Sequence, residues 1–213
     1  MPGIPKTFRH PRGHRVFNRA LDVATPKEKA VEGKHFKSLR SNLSKAKTEA
    51  VLSVLDGSPI LDTLAKHPIQ EIEFLRTPER GWNGAYDHEA RTIQINTIRR
   101  WGNGFGEAFV PGKSFSIASA TGDKLESMRR SLLQETAHHM QEVGGKAVSD
   151  IARAAFNNAA RRPITRYAER PWFEYLAESW SACNVEREAL RSYDPVGYKM
   201  VEDVLAVLRK QAK

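Results

Sequence analysis

The chain has 213 residues, enough for one domain with an extension or two small domains, and enough for a proper hydrophobic core. Its 40% hydrophobic and 28% charged residues place it among globular proteins, and its one cysteine, Cys183, excludes an intramolecular disulfide framework and a Cys-rich zinc module. The formal charge of +9 is uneven: residues 1–57 hold 12 Lys/Arg against 5 Asp/Glu, whereas residues 58–213 hold 22 against 20.

Such an asymmetric basic segment is the kind that meets nucleic acid or an acidic protein surface. No apolar run reaches the length of a membrane span, so no membrane contact is expected. No apolar segment follows the basic stretch Met1 to Ala20, so no signal peptide is expected either.

Met1 to Thr25 is rich in Pro, Gly, Arg and His and reads as an extended arm. His10 and His14 are four apart, but Pro11 and Gly13 between them disfavour the helix that would make them a metal pair. Thr25-Pro26-Lys27-Glu28 has the pattern of a helix start, with Thr as N-cap, Pro at the first helical position and Glu two residues on. Phe36, Leu39, Leu43, Ala46, Ala50 and Val54 follow at steps of three and four, predicting one amphipathic helix that Asp56-Gly57 ends. The expected boundary therefore divides residues 1–57, a basic arm and helix serving partner or assembly contacts, from a domain over 58–213.

Ser58-Pro59 opens a short helix through Ala65. Ile69 to Arg76 reads as a strand, and Thr77 to Gly84 as a turn region. Ala85 to Asp87 and Thr92 to Asn96 flank His88 to Arg91 as a hairpin, with Ile93 and Ile95 on one face. Trp101 to Gly122 carries five glycines and no helical period, and predicts a long loop. Trp82 and Trp101 read as loop anchors. Asp123 to Val143 is a strong helix with Leu125, Met128, Leu132, Thr136, Met140 and Val143 as its buried stripe, stopped by Gly144-Gly145. Further helices are expected over Lys146 to Ala160, Pro171 to Glu186 and Asp194 to Gln211. Trp172, Trp180 and Cys183 read as core.

One stretch of the strong helix carries chemistry. Gln134-Glu135-Thr136-Ala137-His138 is one residue away from His-Glu-x-x-His, in which two histidines a helical turn apart bind zinc and the glutamate takes a proton from the metal-bound water. Gln134 stands at the first histidine. A neutral carboxamide oxygen is a poor zinc donor beside imidazole. His139 lies about 140° round the helix from Gln134 and does not share its face, although Glu135, His139 and Glu142 share another. His88 on the hairpin is a more remote candidate.

A second stretch is Thr165-Arg166-Tyr167, followed by Glu174-Tyr175-Leu176-Ala177-Glu178-Ser179. Together with Gly84, Tyr86 and Asp87, a strand ending in Asn96, and the Glu-x-x-His helix, it resembles the anthrax lethal factor-like zinc peptidases, a gluzincin type also found in bacterial toxins and phage-encoded proteins. The resemblance covers roughly residues 69–186.

The resemblance implies an α+β, zincin-like fold, with a small mixed sheet packed on the active-site helix and a helical C-terminal part. It implies His138 and Glu174 as metal ligands with Gln134 at the third position, Glu135 as general base, and Tyr167 as support for the oxyanion. Glu178 would be the carboxylate that orients a ligand histidine. It implies zinc as cofactor if the site functions, and none otherwise. The expected function is a weakly active or non-catalytic descendant serving as a structural component, for example of a phage particle, with zinc-dependent endopeptidase as the alternative. Expected partners are other protein subunits through residues 1–57, with nucleic acid as a second contact of the basic arm. The expected location is the cytoplasm of the producing cell, a virion, or delivered cargo.

Overall fold

A computed structural model gives the fold of residues 27–29, 35–56, 61–76, 83–97, 124–165 and 167–211. Five strands form one mixed sheet in the order β1-β2-β3-β5-β4: β1 (Lys27–Lys29), β2 (Phe36–Ser41), β3 (Ile69–Leu75), β4 (Gly84–Asp87) and β5 (Thr92–Asn96). The helices are α1 (Lys45–Asp56), α2 (Leu61–Lys66), α3 (Lys124–Phe156), α4 (Trp172–Val185), α5 (Arg187–Tyr193) and α6 (Pro195–Gln211). The class is thus α+β with a mixed sheet and a helical C-terminal part.

Sheet register sorts the side chains into two faces. β2 and β3 are parallel, as are β3 and β5, so Leu39, Ile72 and Ile93 form one row and Ser41, Phe74 and Ile95 another. These rows carry the buried apolar face. Alternation sends Arg40, Glu73 and Gln94 to the opposite face, again in one row across three strands. There Arg40 Nη1 and Gln94 Nε2 both donate to the Glu73 carboxylate, so each polar member of the row has a hydrogen-bond partner.

The edge strand β4 pairs antiparallel with β5, placing Gly84 beside Ile95 and Tyr86 beside Ile93. Gly84 and Tyr86 therefore face α3. Asp87 builds the hairpin turn by accepting the backbone N–H of Glu89 and Ala90 at 2.9 and 3.0 Å. The hairpin expected from alternation is the one formed.

The first quarter of the chain departs from expectation. Residues 27–29 are a strand, not a helix start, and Phe36 to Ser41 is a strand rather than the first turns of a helix. The three-residue spacing of Phe36 and Leu39 does not decide the matter because each finds a cross-strand partner, Ile69 and Ile72. Tertiary pairing outweighs local period here. Among the described residues of this stretch only Lys45–Asp56 is helical, and its buried residues are Thr48, Val51 and Leu55 instead of Ala46, Ala50 and Val54. Arg129 Nε of α3 donates to the Ala50 carbonyl at 2.7 Å, tying α1 to α3. Phe36, Leu39, Val51 and Leu55 belong to the same hydrophobic cluster as α3 and α4. A domain boundary at residue 57 would cut through that cluster, so β2 and α1 are parts of the domain rather than an appendage.

Met128, Leu132, Thr136 and Met140 are buried as the stripe predicts. α3 is two helical segments joined at a kink: Gly145 (φ 55°, ψ −135°) is non-helical, so the first segment ends at the expected Gly144-Gly145 stop, and the second, expected from Lys146, runs to Phe156. α4 packs antiparallel on α3: Gln141 Nε2 reaches the Phe173 carbonyl at 3.3 Å and Trp180 Nε1 reaches Thr136 Oγ1 at 3.3 Å. Trp180 and Cys183 are buried as expected, and burial raises the Cys183 thiol to about 11. α5 was not foreseen. α6 begins at Asp194-Pro195 as expected, with buried Asp194 accepting the Tyr175 hydroxyl at 2.6 Å. The arm over residues 1–26, the Ser58-Pro59 start, the turn with Trp82, and the glycine-rich segment with Trp101 lie outside the described residues.

Candidate functional site

The antiparallel pairing of α3 and α4 brings two distant stretches together. Descending α3 while ascending α4, His138 meets Glu174 and Gln134 meets Glu178, each pair spaced by one helical turn. His138 Nε2 lies 3.8 Å from Glu174 Oε2. Tyr167, in the loop before α4, donates its hydroxyl to Glu174 Oε1 at 2.9 Å. Gln134 lies beside the Glu178 carboxylate and lowers its pKa. Glu135 lies within electrostatic reach of Glu174. Gln134, Glu135, His138, Tyr167, Glu174 and Glu178 thus converge on one place.

Glu135, Glu174 and Glu178 are only 8%, 4% and 5% exposed, so none of them is a solvated surface carboxylate. Burial penalises charge and raises all three. Glu135 stands well above its ordinary value, with the nearby Glu174 adding to the effect of burial. Glu174 reaches about 8 by burial, offset by the Tyr167 hydrogen bond and raised further by Glu178. Glu178 reaches about 7 by burial, offset by the Arg130 guanidinium and by Gln134. Tyr167 is also pushed up, by burial and then by Glu174.

His138 Nδ1 lies 3.4 Å from Gln141 Oε1. Glu178 stands beside residue 134, the first-histidine position. Arg130, 4% exposed, backs Glu178 electrostatically, while its Nε and Nη2 have no hydrogen-bond partner among the described residues.

The donor set can be compared with what zinc requires. His138 and Glu174 supply one imidazole nitrogen and one carboxylate, both good donors. Gln134 supplies only a neutral carboxamide oxygen. Among the described residues no three His, Cys, Asp or Glu are grouped to hold a metal ion. The set is one strong donor short of the three protein ligands of a catalytic zinc. His139 and His88 do not complete it. His139 is buried between the His67 carbonyl (2.7 Å from Nε2) and the Tyr86 hydroxyl (2.9 Å from Nδ1), and His88 Nδ1 lies 3.5 Å from Glu142 Oε2.

These last contacts form a second cluster, under the hairpin. Tyr86 donates to Glu142 Oε2 at 2.9 Å, and Arg91 Nε donates to Glu142 Oε1 at 2.7 Å. Burial pushes Glu142 up, but hydrogen bonds from His88, Arg91 and Tyr86 outweigh it and hold the carboxyl at about 2. This cluster clamps the edge strand onto α3. Its sequence signal was visible in part: His139 and Glu142 share a helix face, and Tyr86 alternates towards it.

No protein-family model, curated protein or solved structure matches the chain. Among the described residues no helix is long and apolar enough to cross a membrane.

Proposed function

We propose that the chain is a zincin-type domain whose metal site has lost one ligand, and that it serves as a non-catalytic or weakly active component of a protein assembly, such as a phage particle. The observation that carries the reading is that Gln134, a neutral carboxamide, stands at the first-histidine position one helical turn from the His138–Glu174 pair, whose Nε2 and Oε2 lie 3.8 Å apart. His138, Tyr167 and Glu174 lie together, with the Tyr167 hydroxyl 2.9 Å and His138 Nε2 3.8 Å from the Glu174 carboxylate, which supports descent from a peptidase.

The alternative, an active zinc endopeptidase, is favoured by the retained Glu135 and by the Tyr167–Glu174 contact at 2.9 Å. Metal content separates the two. Purified wild-type protein equilibrated with zinc and desalted is expected to hold well under one equivalent, and Gln134→His is expected to hold one. Stoichiometric zinc together with chelator-sensitive proteolysis in the wild-type protein overturns the non-catalytic reading.

A further inference from the structure

The basic character of the chain is concentrated in two places. Beyond residues 1–57, residues 153–170 hold five arginines against one glutamate, while all other residues of 58–213 hold 17 Lys/Arg against 19 Asp/Glu. Four of those arginines, Arg153, Arg161, Arg162 and Arg170, are described, and they sit at the corner where α3 ends and α4 begins. None of the four has an ion-pair partner among the described residues.

Two of them rest on aromatic rings. The Arg153 guanidinium lies 4.8 Å from the centre of the Trp172 ring. Arg161 lies 4.1 Å from the centre of Phe156 and 5.6 Å from that of Tyr175. Stacking of this kind holds a guanidinium by its face and leaves its in-plane N–H donors available, so less side-chain entropy is lost when an oxyanion docks. The backbone beneath is fixed by short-range bonds: Ala160 N–H to Asn158 Oδ1 at 2.9 Å, Arg162 N–H to buried Asp194 at 3.1 Å, and Ala168 N–H to Thr165 Oγ1 at 3.0 Å. The rings run on to the candidate site, since Trp172 abuts Phe173 and Phe173 abuts His138.

We propose that this arginine corner docks the sugar–phosphate backbone of nucleic acid, in a contact separate from the N-terminal arm and independent of whether the nearby site holds a metal. A protein partner would need apolar anchors for affinity. Among the described residues the only exposed large apolar side chain is Val185, 38% exposed, at the far end of α4. Charge without such anchors suits repeated phosphates. Because the nearby rings already carry arginines, recognition is of the backbone, salt-dependent and indifferent to base sequence.

The test uses the full chain, with fluorescence anisotropy of a labelled duplex DNA of about 20 base pairs and a labelled RNA of similar length, between about 50 and 200 mM salt. The variant Arg153→Gln/Arg162→Gln/Arg170→Gln alters exposed side chains only. It is expected to weaken binding of at least one probe about tenfold or more, and to make the slope of log affinity against log salt shallower by about 2 to 3. The matching triple Arg→Lys variant, which keeps the charges but loses the planar stack on Trp172, is expected to bind between wild type and the Gln variant with a salt slope close to that of wild type. A wild-type chain that binds neither probe overturns the proposal. So does a Gln variant within about twofold of wild type, a Lys variant as weak as the Gln variant, or tighter binding of a polyglutamate peptide than of either probe.

Discussion

Gly84 passes directly over the carboxyl group of Glu135: a Cβ at position 84 would lie 2.7 Å from Glu135 Oε1 and 2.9 Å from its Cγ. The edge strand can approach the helix this closely only where it has no side chain. Two residues further on, Tyr86 reaches His139 and Glu142, because a two-residue step along a strand nearly matches one turn of a helix. The Gly-x-Tyr-Asp string of the hairpin is thereby explained residue by residue. Gly84 gives room, Tyr86 clamps, and Asp87 makes the turn.

Gly84→Ala is therefore expected to destabilise the domain by about 1–3 kcal/mol through overpacking. Glu135→Ala should relieve the clash, so the double variant is expected to show a coupling of about 1 kcal/mol or more in a urea denaturation cycle. Strict additivity of the two changes would count against the contact.

Tyr86→Phe removes one hydroxyl that serves both His139 Nδ1 and Glu142 Oε2. It leaves a buried ring nitrogen without that partner. The expected cost is about 1–2 kcal/mol, measured as a shift in the urea midpoint at constant slope. An unchanged midpoint would mean that the hairpin is held by strand pairing alone.

The buried carboxyls make stability fall as pH rises. Glu174 and Glu178 stand at about 8 and about 7 against an ordinary 4.5, so between those values the folded state binds more protons than the unfolded state. Protonation therefore favours folding throughout that window. Metal-free protein should melt progressively lower from about pH 5 to about pH 8. Glu174→Gln should flatten the trend. Glu142 lies at about 2, so its stabilising contribution is already complete above the unfolded value and adds no slope in this window.

The elements with strong periods were legible. The stripe Met128, Leu132, Thr136 and Met140 located the central helix, alternation located Thr92–Asn96, and Asp194-Pro195 located the start of the last helix. β2 was not legible because Phe36 and Leu39 are spaced as a helix would space them, and their partners, Ile69 and Ile72, stand 33 residues further on in each case. The candidate site was legible as two strings, but not their contacts. That Glu178 stands beside residue 134 while Gln141 faces His138 depends on which α4 residue meets which α3 turn. That register is set by the packing of Trp180 and its neighbours, which no local pattern announces.

The bend in α3 is a matter of handedness rather than room. Around a Cβ built at Gly145 nothing lies within 4 Å, yet its positive φ is one that L side chains rarely adopt. The mirror image of its backbone angles falls in the polyproline II region, open to any L residue. A D-alanine placed at this position by chemical synthesis would therefore be accepted where L-alanine strains the chain. The bend that separates the site-bearing half of the helix from its C-terminal half is specified by chirality alone.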